Sequence, residues 1–254
     1  MTSNLINLYH QAEDYFWRAI SWDCLEIADE AKAYITGVQA GNLNPVFVRK
    51  QVSSIEPIQK ECVQFYGDEN LDFVMVVPEE LTNREMDDVL KGHGYSRAYG
   101  SMAMALDLRG NGYLLEDAAI AIRSMDGDLD EWSRPLSDAF ESTQPVTIQY
   151  TYSHKMALGQ GHALNHFSLF VGHEAVSSIT LSIHNGLARI DDLGTSSDFQ
   201  CRGFATHLMK YVLLKAIELG ATKCFLDASV EGLSLYKKLG FKSLFKTNIY
   251  EKTT

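Results

Sequence analysis

A short turn at residues 193–206 carries the groups best suited to chemistry. Its apolar pattern predicts a strand that ends at Thr195 and a helix that begins near Gly203. The first turn of a helix has backbone N–H groups without partners, and their dipoles add up to a partial positive charge. Gly203 has no Cβ to hold a ligand away, Arg202 adds a cation and Thr206 adds a hydroxyl. The turn therefore predicts a site for a phosphate or pyrophosphate.

Other phosphate-binding loops do not fit this turn. It lacks the Gly-Lys-Ser/Thr ending of nucleotide-binding loops, and it lacks the Gly-x-Gly-x-x-Gly of dinucleotide-binding folds. A strand-to-helix turn with one glycine is common, so a plain connection is at this point an equally open interpretation. Cys201 lies in the turn, but no His or acidic pattern around it indicates a nucleophilic thiol.

The elements that must position this turn are predicted from apolar periodicity and turn residues. Asn185-Gly186 between apolar runs predicts a type I′ hairpin, and Gly220 stands where a helix cap belongs. Residues 151–165, rich in Gly, His and Ser, predict an irregular segment. The strands predicted in this half are 118–122, 167–171, 175–183, 187–195, 223–228 and 241–250, and the helices are 129–140, 203–219 and 231–239.

The first half of the chain shows a related order of elements. Apolar spacing predicts helices over 5–16 and 22–35, then a loop over 37–45. Strands follow at 46–48, 73–77 and 101–106, with a helix at 83–91 and a Gly-aromatic turn at 93–95. Arg109-Gly110-Asn111-Gly112 is the predicted linker, which divides the chain into domains of residues 1–110 and 113–254.

Bulk composition indicates a globular chain. It has 254 residues, of which 46% are hydrophobic, enough for two small domains with cores. No apolar run approaches the roughly 18–20 residues that span a bilayer, and residues 1–15 lack the pattern of a signal peptide. The cysteines Cys24, Cys62, Cys201 and Cys224 form no CxxC pair and show no metal-ligand spacing with His, so we expect reduced thiols, no metal and a cytoplasmic protein.

The charge of the chain is acidic and uneven. A net charge of −11 provides no electrostatic reason to bind nucleic acid or an anionic membrane. Residues 1–112 hold 9 Lys and Arg against 17 Asp and Glu, and the remainder holds 13 against 16. The acidic half either attracts a cationic substrate or simply keeps the chain soluble. We expect a monomer or a homodimer.

Two runs together resemble the GNAT superfamily of N-acetyltransferases. Gln200-x-x-Gly203-x-Ala205 resembles its Gln/Arg-x-x-Gly-x-Gly/Ala signature. Residues 226–241 resemble its second segment, whose core LY-x-x-LGF is matched by Leu235-Tyr236-Lys237-Lys238-Leu239-Gly240-Phe241. The separation of the runs suits one helix and one strand, and the resemblance covers residues 113–254.

The resemblance implies acetyl-CoA as co-substrate and direct attack of an amine on its thioester. Loop amides would hold the pyrophosphate, and a backbone N–H near Leu193 would stabilise the oxyanion. The strand that ends at Leu193-Gly194-Thr195 resembles the family's fourth strand and would pair with the pantetheine arm. Tyr236 would protonate the leaving thiolate, and Asp191 or Asp192 would act as base. The implied cofactor-binding residues are Leu193, Gly194, Thr195, Gln200, Cys201, Arg202, Gly203, Phe204, Ala205, Thr206, Ser229 and Tyr236.

Some of these assignments have alternatives in the sequence. Ser229 stands where the family often has Asn, and Ser197 stands where proline is frequent. Because strand side chains alternate, one of Asp191 and Asp192 should face the cleft, although both could instead be solvated or paired with Lys or Arg. Tyr236 could be a core tyrosine. The histidines His154, His162 and His166 fit no zinc pattern and are interpreted as parts of a polar loop.

The first half repeats the order strand, helix, Gly-aromatic turn, strand. We therefore expect a second, degenerate GNAT-like unit that lacks the Gln-x-x-Gly-x-Ala loop, holds no cofactor and shapes the acceptor pocket. The expected fold is α/β (α+β), with a mixed, mostly antiparallel sheet flanked by helices, in tandem.

The sequence supports three hypotheses about function. The first is acetylation of a small-molecule or peptide amine. The second is a non-catalytic acyl-CoA-binding regulatory module, and the third is an interaction domain in which Gly203→Glu would change nothing. No motif in the chain names the acceptor.

Overall fold

A computed structural model describes residues 2–110 and 121–253 of the chain, without the side chains of Thr2 and Ser3. Asn111 and Gly112 of the predicted linker and residues 118–120 of a predicted strand lie outside the described residues. None of the helices in the described part is both long and apolar enough to cross a membrane.

The elements are named in chain order. The helices are α1 (Thr2–Ile20), α2 (Glu56–Gly67), α3 (Arg84–Gly92), α4 (Leu129–Ala139), α5 (Gln144–Gly159), α6 (Phe204–Glu218) and α7 (Leu233–Lys238). The strands are β1 (Asp23–Ile27), β2 (Ala31–Ile35), β3 (Pro45–Val48), β4 (Val74–Pro78), β5 (Tyr95–Asp107), β6 (Ala121–Ser124), β7 (Leu164–Val171), β8 (Glu174–His184), β9 (Leu187–Thr195), β10 (Lys223–Ala228) and β11 (Lys242–Lys252). Short 3-10 turns lie at Gly41–Leu43, Glu79–Leu81 and Ser197–Phe199.

The described strands form one 11-stranded sheet in the order β1-β2-β3-β4-β11-β5-β10-β9-β8-β7-β6. Neighbours in this part of the chain are antiparallel except for β3 with β4 and β9 with β10. Parallel neighbours need a crossover connection, and α2 and α6 provide it. The predicted fold class, a mixed and mostly antiparallel sheet flanked by helices, is confirmed.

The two halves repeat one another in structure. The order β3-α2-β4-α3-β5 in the first half matches β9-α6-β10-α7-β11 in the second. The last strands of the two repeats, β5 and β11, lie side by side, and each also pairs with a strand of the other repeat. The halves therefore share one sheet, while the domain boundary between residues 110 and 113 stays a prediction.

The two faces of the sheet are covered by different helices. On one face, Leu208 and Val212 of α6 pack in a core that includes Ile190 and Leu226. Side chains alternate along a strand, so the intervening residues point to the opposite face. There Phe225 packs with Tyr9 of α1, edge to face with ring centroids 6.1 Å apart. Helices α4 and α5 complete this second face.

The structure corrects two local predictions and adds one helix that was not predicted. Residues 22–35 form the hairpin of β1 and β2 rather than a helix, with Ala28 in the turn at φ 46°. Helix α2 was not predicted, because its sequence is rich in Glu and Gln and has weak apolar contrast. Residues 151–165, expected to be irregular, complete α5 and begin β7. Polar residues are buried in α5, so its apolar periodicity is weak in the sequence.

Candidate active site

Strands β9 and β10 separate at their carboxyl ends. Their parallel pairing ends where Arg189 lies opposite Phe225. Beyond this point β9 pairs only with β8, up to Thr195, and β10 pairs with β5 up to Ala228. The edge of β9 that faces β10 is therefore unpaired over residues 190–195 within the described structure. Unpaired backbone groups at such an edge are available to an extended ligand.

A β-bulge in β9 lies beside this opening. Ser178 pairs with Gly194 and Thr180 pairs with Asp191, so two residues of β9 oppose one of β8. Asp192 in the bulge has φ 56°, an uncommon conformation for a residue other than glycine.

The bulge breaks the alternation of side chains along β9. Asp191 contacts Arg189, which lies over the ring of Tyr9 in α1, while Asp192 contacts Tyr150 of α5. Since α1 and α5 pack together on one face of the sheet, both carboxyl groups point to that face. The regular alternation on which the sequence argument relied therefore does not hold at the bulge, and the expectation that one of the two faces the cleft stays a prediction.

The loop after β9 is held in place by two contacts. Asp138 of α4 accepts a hydrogen bond of 2.7 Å from the amide of Ser197 and one of 3.1 Å from its hydroxyl. The side-chain amide of Gln200 donates to the carbonyl of Thr195 at 3.1 Å. These contacts tie the loop to α4 and to the end of β9, where the strands separate.

The loop presents unpaired amides at the start of α6. Gly203 precedes the helix with φ 86°, and Cys201 has φ 60°. In the described part of the chain, the amides at residues 201–206 donate no hydrogen bond to another residue. A Cβ at Gly203 would meet no atom within 4 Å, so the space in front of these amides is open. The first turn of α6 has no acidic residue, which suits a bound anion.

The matching position in the first repeat differs in ways that disfavour an anion. Helix α2 begins with Glu56, and Pro57 has no amide N–H to donate. A negative side chain at this end would repel a phosphate. Among the described residues, the open amide loop therefore belongs to the second repeat, as the missing Gln-x-x-Gly-x-Ala run predicts.

Arg189 and two carboxylates form a buried cluster at the point of separation. Arg189 Nε lies 3.1 Å from both carboxylate oxygens of Asp191, and Arg189 Nη2 donates to Asp227 at 2.7 Å. The Tyr9 hydroxyl lies 2.8 Å from Asp227 and from Glu13. Burial raises the pKa of Asp191 to about 7, although Arg189 acts in the opposite direction. Pairing with an arginine, one of the two interpretations of Asp191 from sequence, is thus observed.

Asp192 lines a separate cavity of about 440 Å³. Its Oδ1 accepts a hydrogen bond of 2.7 Å from the Tyr150 hydroxyl, and burial raises the pKa of this carboxyl above its usual range. Most of the other walls are apolar or neutral, and the segment at residues 40–43 in the first repeat closes one side. Further lining residues are Leu136, Phe140, Thr143, Val146 and Thr147.

Tyr236 lies in α7, largely buried. Its ring packs against Gly232 so closely that a Cβ there would lie 2.9 Å from Tyr236 Cε2. Burial, followed by the negative charges of Asp191 and Asp227, raises the pKa of the Tyr236 hydroxyl well above its usual range, so the hydroxyl keeps its proton at neutral pH. Ser229 Oγ accepts a hydrogen bond of 3.1 Å from the Gly232 amide and so caps the turn before α7.

Two of the three histidines that the sequence assigned to a polar loop lie elsewhere in the structure. His154 lies in α5 and His166 in β7, both with no exposed surface, so they are not parts of a polar loop. Only His162, of the three, lies in a turn. Among the described residues, no group of three or more His, Cys, Asp or Glu side chains is arranged to hold a metal ion.

The sequence interpretation missed several residues around the opening. Arg189 could have been found, because a basic residue two positions before Asp191 shares its face of a strand. Tyr9, Tyr150 and the buried histidine pair could not, because they come from distant elements.

Comparison with protein families gives one match in the second half of the chain. Residues 128–241 match the acetyltransferase (GNAT) family, so the second half of the chain contains a GNAT domain, and the resemblance carried by its two motifs is confirmed. No curated protein sequence is detectably similar to the chain.

Solved structures share the fold across most of the chain. A GCN5-related N-acetyltransferase from Kribbella flavida superposes with a TM-score of 0.67 at 14% identity, covering 96% of this chain and 95% of that one. A GCN5-related N-acetyltransferase-like protein from Streptococcus suis 89/1591 superposes with a TM-score of 0.58 at 15% identity, covering 98% of this chain and 97% of that one. A tandem GNAT protein from the clavulanic acid biosynthesis pathway superposes with a TM-score of 0.55 at 12% identity, covering 87% of this chain and 78% of that one. At such identities the likeness shows the fold alone, and it extends to the first repeat.

Proposed function

We propose that this protein is an N-acetyltransferase that transfers an acetyl group directly from acetyl-CoA to an amine. The observation that carries the proposal is the separation of β9 from β10 immediately beside the open amides at the start of α6. An extended ligand with an anionic end fits a free strand edge followed by an anion-binding helix start. Acetyl-CoA has this form, and it supplies the activated acyl group.

The chain's own groups would hold this co-substrate in two stretches. The open amides over residues 201–205, with the Thr206 hydroxyl and the Arg202 guanidinium, would bind the pyrophosphate. The unpaired edge over residues 193–195 would bind the pantetheine arm. Ser229 already accepts a hydrogen bond from Gly232, so its hydroxyl is positioned by α7 next to the end of β10.

The acceptor amine would bind in the cavity that Asp192 lines. A carboxylate in mostly neutral and apolar walls attracts a cationic amine with an apolar body, whether a small molecule or a peptide. The first repeat contributes residues 40–43 to this cavity. That contribution supports the expectation that the first repeat shapes the acceptor site.

Two groups would assist the bond changes. A backbone N–H near Leu193 would stabilise negative charge on the acyl oxygen. Tyr236, kept protonated by burial, would donate a proton to the leaving thiolate. A thiol has an ordinary pKa of about 8.5, so the thiolate can leave without this proton, which is an aid rather than a requirement. Each cysteine of the chain is unpaired, which supports a reducing compartment such as the cytoplasm.

The test combines binding and turnover. Calorimetry of the purified full chain with acetyl-CoA should show binding, and a panel of primary amines should release free thiol with a matching acetylated product. Binding without turnover on any amine would favour the acyl-CoA-binding module instead. Absence of binding would overturn the proposed function.

A further inference from the structure

A buried chain of side chains leads from the surface to the acceptor cavity. Asp126, partly exposed after β6, lies 2.8 Å from His166 Nδ1 and also accepts from the His166 amide. His166 Nε2 lies 2.9 Å from His154 Nδ1. His154 Nε2 then faces Asp192 Oδ2 at 3.7 Å. Both histidines are fully buried, and the ring of Trp132 packs against each of them.

The carboxylate of Asp126 fixes which nitrogens of the histidines carry protons. Asp126 can only accept, so His166 donates from Nδ1, and a His166 ring that carries a single proton has an acceptor at Nε2. His154 must then donate from Nδ1, and its Nε2 is left unprotonated. Burial also lowers the pKa of His154 well below its usual range, which keeps this ring neutral. This series of side chains therefore presents a proton acceptor, His154 Nε2, to Asp192.

The two atoms that face each other at the end of the chain both lack a partner. His154 Nε2 and Asp192 Oδ2 are buried and make no hydrogen bond of ordinary geometry within the described structure, although the Thr180 hydroxyl lies near enough to act on the pKa of the Asp192 carboxyl. A buried polar atom left unsatisfied is unfavourable by about 1–3 kcal/mol. One proton on Asp192 Oδ2, donated towards His154 Nε2 after a movement of under about 1 Å, satisfies both atoms.

We propose that Asp126, His166 and His154 are positioning residues that make Asp192 the group that takes the proton of the acceptor amine. This inference rests on the proposed function. The electron pair of the amine nitrogen forms the bond to the acyl carbon, and the C–S bond breaks, so that its electron pair leaves with the thiolate that Tyr236 protonates. One N–H bond of the amine breaks, its electron pair stays on nitrogen, and the proton forms an O–H bond with the Asp192 carboxyl. The proton is held by a hydrogen bond to His154 Nε2 and leaves to solvent through the cavity once the product has gone.

The surroundings of Asp192 distinguish it from Asp191 as the proton acceptor. The oxygens of Asp191 already accept from Arg189. Asp192 has one oxygen bonded to Tyr150 and one that faces His154. The titratable and charged groups that act on Asp192 are Tyr150 and His154 from α5, His166 from β7, and Arg189 and Asp191 from β9.

The first test reads the proton positions directly and needs no turnover. Imidazole nitrogen NMR of histidine-labelled protein should show His154 and His166 as neutral rings protonated at Nδ1. Assignment uses the variants His154→Gln and His166→Gln. A His154 ring protonated at Nε2 would overturn the inference, because it would donate to Asp192 and make that carboxyl a weaker base.

The second test compares two variants in α4 and the turn before it. Asp126→Asn keeps the shape of the side chain and an acceptor oxygen. It removes the negative charge that, acting through His166 and His154, favours a proton on Asp192. Its kcat should fall about tenfold, a fraction of what a general base contributes. The rising limb of its pH–rate profile should move to lower pH by roughly half a unit. The matched control is Asp130→Asn, because the Asp130 carboxylate pairs with Lys155 and contacts no histidine in the described structure.

The outcomes separate this inference from the proposed function. Acetyl-CoA affinity and unfolding temperature should match the wild type in both variants, and Asp130→Asn should keep the wild-type pH profile. An active wild type together with an unchanged kcat and pH profile in Asp126→Asn overturns the positioning role alone. A wild type that neither binds nor turns over acetyl-CoA overturns the proposed function, and the positioning role with it.

Discussion

Arg189, the last residue of β9 that pairs with β10, donates a hydrogen bond of 2.7 Å to Asp227, two residues beyond the last paired residue of β10. The same guanidinium pairs with Asp191, so one buried cation is shared by two carboxylates where the strands separate. Tyr9 of α1 lies against this cluster, with its ring 5.6 Å from the guanidinium carbon. Arg189 therefore stabilises the opening between β9 and β10 through contacts with other residues of the protein.

Replacing Arg189 with methionine should destabilise the protein by about 3 kcal/mol, because removing one partner of a buried ion pair leaves uncompensated charge. Arg189 is only 3% exposed. The free energy of unfolding in urea measures the effect. The control is Arg84→Met, since that side chain is 95% exposed and its surface pair should contribute nothing measurable. Equal stability of the Arg189 variant and the wild type would show that the cluster is not needed at the opening.

Gly203→Glu should weaken acetyl-CoA binding by at least about 100-fold, because it places bulk and negative charge in front of the open amides. Calorimetry measures the dissociation constant. Gly161→Glu is the matched control, since Gly161 also has a positive φ and a Cβ there would meet no atom within 4 Å, but it lies in the turn between α5 and β7. If both variants lost affinity equally, backbone strain and not the anion site would be the cause.

Tyr236→Phe should lower kcat about tenfold, with little change in the affinity for acetyl-CoA, because only a proton donor is removed. The ring still fills its place against Gly232 and Phe241, so the unfolding temperature should stay near that of the wild type. Steady-state thiol release measures the rate. Tyr152→Phe, at a tyrosine 60% exposed on α5, is the control. A kcat equal to that of the wild type would remove Tyr236 from the mechanism.

The sequence predicted the backbone structure around residues 193–206 well because the signals for it are local. A strand pattern, a glycine and an amphipathic helix follow one another within residues 187–219, and β9, the loop and α6 form as expected. The hairpin at Asn185-Gly186 has the same origin, since both residues adopt the positive φ that a type I′ turn requires.

Long-range contacts were not predictable in this way. No residue of β11 indicates that it lies between β4 and β5, because strand pairing across the chain leaves no local pattern. The bulge at Asp192 has no glycine to signal its positive φ. His154 and His166 satisfy each other from a helix and a strand, and their polarity in the sequence indicates a loop instead. The loop that we propose as the anion site was thus predictable, and the residues that we propose for proton transfer were not.

The raised pKa of Asp191 gives the stability a defined pH dependence. Burial raises this pKa to about 7, against about 3.9 in an unfolded chain. Between about pH 4 and pH 7 the folded protein therefore binds more protons than the unfolded chain, so the contribution of Asp191 to stability falls as the pH rises through that window.

Asp191→Asn removes this contribution. The unfolding free energy of the variant minus that of the wild type should therefore increase between about pH 5 and pH 7.5. Urea unfolding at a series of pH values measures it. Asp88→Asn, which removes an exposed carboxylate on α3, is the matched control. A difference that stays constant across the series would contradict the raised pKa.

Leu43 tests whether the first repeat shapes the acceptor cavity. It lies in the short 3-10 turn at Gly41–Leu43 and lines the cavity together with Asp192 and Tyr150. Leu43→Ala removes apolar contact with a bound amine, so KM for an apolar amine should rise about 5-fold or more, while acetyl-CoA affinity stays the same. The control is Leu81→Ala, a partly buried leucine that packs on the core of the first repeat away from the cavity. A rise in KM for the Leu43 variant alone assigns residues 40–43 to the acceptor site. Equal values for both variants would instead show that the amine binds elsewhere, and that the first repeat contributes only to the shared sheet.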